Sequence, residues 1–145
     1  MRALIDRYLP TAARSWRQVR DWRRYQSAKP YKTAFGFQLY GDANLDTSRQ
    51  DTEEIDTVRD VLAAGAVLVD VGANVGLFSC FANTMGQPAI AIEPQPHNVQ
   101  LLCRNVHLNR LSNVEILPVA LSDNIGVLPL FGGGQGASLR QGWGG

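Results

Sequence analysis

Residues 66–76 read AVLVDVGANVG, and this stretch decides the fold. A continuous, valine-rich apolar run without polar alternation is the pattern of a buried strand in a parallel sheet. Gly72 and Gly76 follow at once, where the backbone must turn tightly from strand into helix. Leu77 to Met85 then carries a helical pattern that stops at Gly86 and Pro88. Ala89-Ile90-Ala91-Ile92-Glu93 is a second buried strand. Pro96 suits the first turn of another helix, with Val99, Leu102, Cys103, Val106 and Arg110 along one stripe and Asn109 or Asn113 near its end. Val114 to Leu121 is a third strand, and Pro118 within it cannot donate to a ladder, which places it at a sheet edge. A further short strand is expected at Val127–Phe131. The order strand–helix–strand–helix–strand predicts an α/β domain with a parallel sheet and right-handed crossovers.

Upstream, Phe35, Phe37 and Leu39 alternate with smaller or polar residues and predict a short strand or hairpin. Asp51 or Thr52 can cap a helix that runs to about Ala64, with Ile55, Val58, Val61 and Leu62 on one face and Gly65 at its stop. The head of the chain is different. Ile5, Leu9, Ala12, Trp16 and Val19 recur at helical spacing with arginines between them, and Pro30 ends the pattern. Residues 1–32 carry a net charge of +7 and residues 33–145 carry −6, which the overall +1 conceals. Seven of the 14 glycines fall between Gly132 and Gly145. The chain therefore divides into a basic helical extension (1–32), an α/β domain (33–131) and a Gly-rich tail (132–145).

A total of 145 residues suits one domain, and a hydrophobic fraction of 45% excludes a disordered or fibrous chain. No apolar run is long enough to span a membrane, and the start of the chain lacks the apolar core of a secretory signal. Cys80 and Cys103 both lie in apolar helical patterns, so two reduced core thiols and a cytoplasmic location are expected. His97 and His107 read as surface residues. No cluster has metal-ligand spacing, so no metal is expected.

The chemistry gathers at the turn after the first strand. A glycine directly after a parallel strand lets a ligand approach the backbone, and the following helix presents free N–H groups. Glu93 ends the second strand 21 residues after Gly72, where a carboxylate can accept hydrogen bonds from ribose hydroxyls. The glycines do not meet the dinucleotide pattern G-x-G-x-x-G, and no phosphate loop occurs. A ribose-bearing ligand without phosphates fits better, with S-adenosylmethionine the obvious candidate. Asp70 could take a hydrogen bond from its ammonium group and Glu93 would hold its ribose. The bland reading makes Gly72 and Gly76 a structural turn, Asp70 a cap of its own loop and Glu93 an exposed strand-end carboxylate.

The segments VDVGANVGLFSCFA, AIAIEPQPHNVQLLCRNVHLN and NVEILPVALSDNIGVLPL together resemble the FkbM-type family of S-adenosylmethionine-dependent methyltransferases, over roughly residues 33–131. The resemblance implies an incomplete Rossmann-like class I methyltransferase sheet that methylates hydroxyl oxygens of sugars or secondary metabolites. Carried over by position, Asp70, Gly72, Ala73, Asn74 and Gly76 match the family's first cofactor loop. Glu93 and Pro94 match the ribose end of the second strand, and Ala120, Leu121 and Ser122 match the region near the adenine. The family continues with a further acidic strand motif that this chain lacks, so the chain is expected to be an N-terminal part whose acceptor site and catalytic base are absent. Its first strand would then be left unpaired on one side and prone to self-association.

Two other classes remain open: a nucleoside-binding fragment that does not catalyse, and an NAD-dependent oxidoreductase half-domain, against which the glycine spacing speaks. The expected partner is a small-molecule or glycan acceptor, with no nucleic acid. The basic head packs on the domain by default. Its Trp/Leu and arginine faces also suit a peripheral membrane contact through residues 1–26, and its Arg and aromatic residues would equally suit RNA.

Overall fold

A computed structural model of the chain describes residue 19 and residues 29–41, 52–132 and 137–142, without the side chains at 52–54. The basic head, apart from an exposed Val19 and residues 29–32, and half of the Gly-rich tail lie outside the described residues. The head's packing and membrane readings lie there with it.

The predicted hairpin is present: β1 (Tyr31–Lys32) pairs antiparallel with β2 (Gln38–Leu39). Thr33 closes the turn, its hydroxyl donating to the Phe37 carbonyl at 2.8 Å. The helix α1 (Thr52–Ala63) follows. Ile55 and Leu62 are buried on it, two turns apart on one face. Val61, expected on that face, is instead exposed, because it sits about 100° around the helix from Leu62.

The three predicted strands form one parallel sheet. The first, β3 (Leu68–Val71), leads to α2 (Leu77–Thr84), β4 (Ala89–Ile92), α3 (Pro96–Leu108) and β5 (Val114–Leu117), with the strands in the order β3-β4-β5. Strand β5 ends just before Pro118 and lies at an edge, as that proline requires. The expected strand at Val127–Phe131 is absent; Phe131 makes a single bridge to Ser138.

Both crossover helices lie on one face. Leu68 and Ala89 pack in a core with Leu62, Leu77, Cys80, Phe81, Phe37 and Leu39, while Ala91 packs with Ala73 and Leu102. Phe35 meets Phe81 edge-on at 5.3 Å between ring centres, which docks the hairpin on α2. Each large side chain buried here stabilises the fold by about 1.5–3 kcal/mol. The other face of the sheet is bare where β3 runs. Val69 and Val71 are 56% and 60% exposed, so the valine-rich strand is buried on one face rather than two. It also starts two residues later than predicted, since pairing begins where the Leu68 N–H meets the Pro88 carbonyl.

The cysteines separate. Cys80 is fully buried on α2, and burial, with a smaller push from the Asp70 charge, raises its thiol pKa to about 12. Cys103 is exposed, contrary to the expectation of a second core thiol. The buried face of α3 runs through Asn98, Leu101, Leu102 and Asn105, and Cys103 points away from it.

Candidate cofactor site

The turn between β3 and α2 is held open by three residues with positive φ, Gly72 (78°), Asn74 (50°) and Gly76 (87°). It is tied to the second strand by the Gly72 and Ala73 N–H groups, which both donate to the Ile92 carbonyl. A side chain at Gly76 would run into Leu102. Gly72 is the opposite case. Its φ is 78° and nothing lies within 4 Å of where a Cβ would be. It lines a cavity of about 260 Å³ at the carboxyl ends of β3 and β4. That is smaller than the roughly 300–1,000 Å³ typical of ligand sites, a size for the nucleoside end of a ligand rather than its whole length.

Glu93 stands at the mouth of this cavity and is only 4% exposed. Its Oε2 accepts the Asn74 N–H at 2.8 Å. Its Oε1 accepts the Gln95 N–H at 2.8 Å and the Asn98 Nδ2 at 3.2 Å. A carboxylate offers about four lone-pair positions, so these three bonds leave one, on Oε2. The arrangement suits one ribose hydroxyl rather than the two that the sequence suggested. The buried charge is held by donors, which is the condition for keeping a carboxylate inside a protein.

Asp70 faces the other way. It is 9% exposed, and its Oδ2 accepts both the N–H and the hydroxyl of Ser79 at the third position of α2, at 3.1 and 2.6 Å. Here the capping reading is the one the geometry displays. The carboxylate satisfies an otherwise orphan amide at a helix start whose own cap, Gly76, offers no side chain. Burial pushes the Asp70 pKa above its ordinary value, the Ser79 bonds pull it back, and the Glu93 charge adds a little upward.

The structure brings most of the predicted residues together. Gly72, Asn74, Glu93, Pro94, Ala120 and Leu121 line the one cavity. Asp70, Ala73 and Gly76 shape the turn behind it, and Ser122 bonds within its own exposed loop, to Asp123 and the Asn124 backbone. Three groups of lining residues escaped the sequence reading. Val71, Ile92 and Val119 stand beside predicted positions. Asn98 on α3 steadies Glu93, and its place in the EPQPHN run was the available signal. Leu130, near the end of the α/β segment, and Ala137, Ser138 and Leu139 of the tail also line the cavity, beside the Phe131–Ser138 bridge. Glu93 is the only ionisable residue among the described lining residues. Among the described residues no His/Cys/Asp/Glu group could hold a metal, and no helix is long and apolar enough to cross a membrane.

Residues 37–129 match the family described as the TRM5/TYW2 methyltransferase domain. The methyltransferase sdnD of Sordaria araneosa is 42% identical over 72 residues, covering 48% of this chain and 28% of its own length. Among solved structures, yhhF of Escherichia coli shares the fold at 18% identity and a TM-score of 0.50, covering 63% of this chain and 53% of its own. The tRNA m1G37 methyltransferase of M. jannaschii is 26% identical at a TM-score of 0.45, covering 70% of this chain and 33% of its own. The chain thus spans about a quarter to a half of the length of these proteins. The expectation that no nucleic acid is involved is corrected by these findings. It is the family match that overturns it: residues 37–129 fit a model named for TRM5 and TYW2.

Proposed function

The chain belongs to the TRM5/TYW2 methyltransferase domain family, whose methyl donor is S-adenosylmethionine, and from that premise we propose that the cavity between Gly72 and Glu93 is the donor site. The observation that carries this reading is the buried Glu93 carboxylate beside the side-chain-free floor at Gly72. When bound, the donor supplies an electrophilic methyl group on a sulfonium. The protein's part is to hold and orient. The Gly72 backbone admits the nucleoside, Glu93 takes a ribose hydroxyl, and the apolar wall of Val119, Leu121 and Leu130 suits an adenine. Among the described lining residues only Glu93 is ionisable, and three donors hold it, so its part in this reading is positioning rather than proton transfer.

Two acceptor classes follow from different observations. The DVGANVG and EPQPHN motifs resemble the FkbM type and favour a hydroxyl of a sugar or small metabolite. The family match favours RNA. Transfer of labelled methyl groups to tRNA, measured beside transfer to simple glycosides, separates them.

The donor reading is tested by calorimetric titration with S-adenosylhomocysteine. One-site binding is expected, and Glu93→Ala should weaken it by about 1.5–3 kcal/mol, the scale of a hydrogen bond to a charged group. Equal affinity in a folded Glu93→Ala variant would sink the assignment.

A further inference from the structure

Two carboxamides, at Asn105 on α3 and at Asn109, its C-cap, read the backbone edge of β2 and of Tyr40 just after it as if they were a third strand. Asn109 Oδ1 accepts the Gln38 N–H at 2.9 Å, and its Nδ2 donates to the Gln38 carbonyl at 2.7 Å. One turn earlier, Asn105 Oδ1 accepts the Tyr40 N–H at 2.6 Å, and its Nδ2 donates to the Tyr40 carbonyl at 2.9 Å. The match is geometric. Residues four apart on a helix rise by about 6 Å, and residues two apart on a strand by about 6.8 Å.

The two asparagines differ in one respect. Asn105 is fully buried, and its Nδ2 also donates to the Val75 carbonyl at 2.7 Å. Val75 lies between Asn74 and Gly76, both with positive φ, and the preceding Asn74 N–H is the donor that holds Glu93 Oε2. The Val75 side chain also lies 3.4 Å from where a Cβ at Gly41, just past the hairpin, would be. A single carboxamide therefore joins the hairpin edge to the turn that sets the Glu93 carboxylate.

We propose that Asn105 is a positioning residue for the donor site: through the Val75 carbonyl it fixes the turn and hence the Asn74–Glu93 pair. This rests on the donor reading above. Asn109 makes the same kind of hairpin contact without touching the turn, so it is the internal control. Binding of S-adenosylhomocysteine is measured in the whole chain and in Asn105→Ala, Asn105→Asp and Asn109→Ala, each with its thermal midpoint. Asn105→Asp keeps the acceptor for Tyr40 but cannot donate to Val75. Both Asn105 variants should bind about tenfold more weakly, the scale of one hydrogen bond, while Asn109→Ala loses stability and keeps its affinity. If the Asn105 variants do not fold, the unaltered chain still decides. Saturation with S-adenosylhomocysteine should shift the Asn105 side-chain amide resonances and leave those of Asn109 in place. Wild-type binding with unchanged affinity in folded Asn105 variants, or an unmoved Asn105 amide, overturns the positioning role alone. A wild-type chain that does not bind overturns the donor reading and this inference with it.

Discussion

Asp70 shows how one carboxylate can serve structure where the sequence suggests a ligand. Both of its bonds run to Ser79, and its pKa lies above the ordinary 3.8 chiefly because it is buried. An acid whose pKa is higher folded than unfolded holds its proton better in the folded state. Its contribution to stability is therefore complete below about pH 3.8 and is lost as the pH rises through the folded value. Asp70→Asn keeps a carbonyl for both Ser79 donors and carries no charge. Its thermal midpoint should gain on that of the wild type as the pH rises above 4, and then keep the advantage. A constant difference between the two proteins from pH 3 to 7 would refute this account. At Glu93 the sequence was more informative: a carboxylate closing a strand, followed by Pro94-Gln95-Pro96, marked both its position and its rigid surroundings. The number of donors already on it was not legible, since the Asn74 N–H, 19 residues away, reaches it only through the fold.

At the scale of elements, the strands and helices were readable wherever apolar period and terminal signals agreed. Gly65, Gly86 and Pro96 marked ends that the structure keeps. The buried face of α3 was misjudged for a physical reason. Its stripe mixes Leu101 and Leu102 with the buried polar residues Asn98 and Asn105, and a search for apolar spacing passes over such asparagines, of which Asn105 has partners 30 and 65 residues away. The entry to α2 allows a sharper test. Gly72 and Gly76 both have left-handed backbones, which cost an ordinary residue about 1–2 kcal/mol. Only at Gly76 would a methyl group also strike Leu102. In urea denaturation Gly76→Ala should therefore lose more stability than Gly72→Ala. Equal losses would show that Leu102 yields without cost.

For the whole molecule, the sheet order β3-β4-β5 among the described residues leaves β3 at an edge, with Val67, Val69 and Val71 exposed beside it. An open, flat, β-branched edge recruits other strands. The chain should therefore self-associate as its concentration rises, and light scattering from a clean monomer at high concentration would contradict this. The motifs at Gly72 and Glu93 made the methyltransferase class and its donor legible through the resemblance they carry. They carry nothing about the acceptor. That is why the sequence led to a sugar or metabolite acceptor without nucleic acid, an expectation the family match overturns.

The paired asparagines of α3 bear on that same hazard. By answering the Gln38 and Tyr40 backbone groups with side chains, a helix has closed the hairpin's flank to any outside strand. The molecule thus has one strand edge that is covered, at β2, and one that is open, at β3, and any fibril or swapped dimer it forms should grow from β3 rather than from β2.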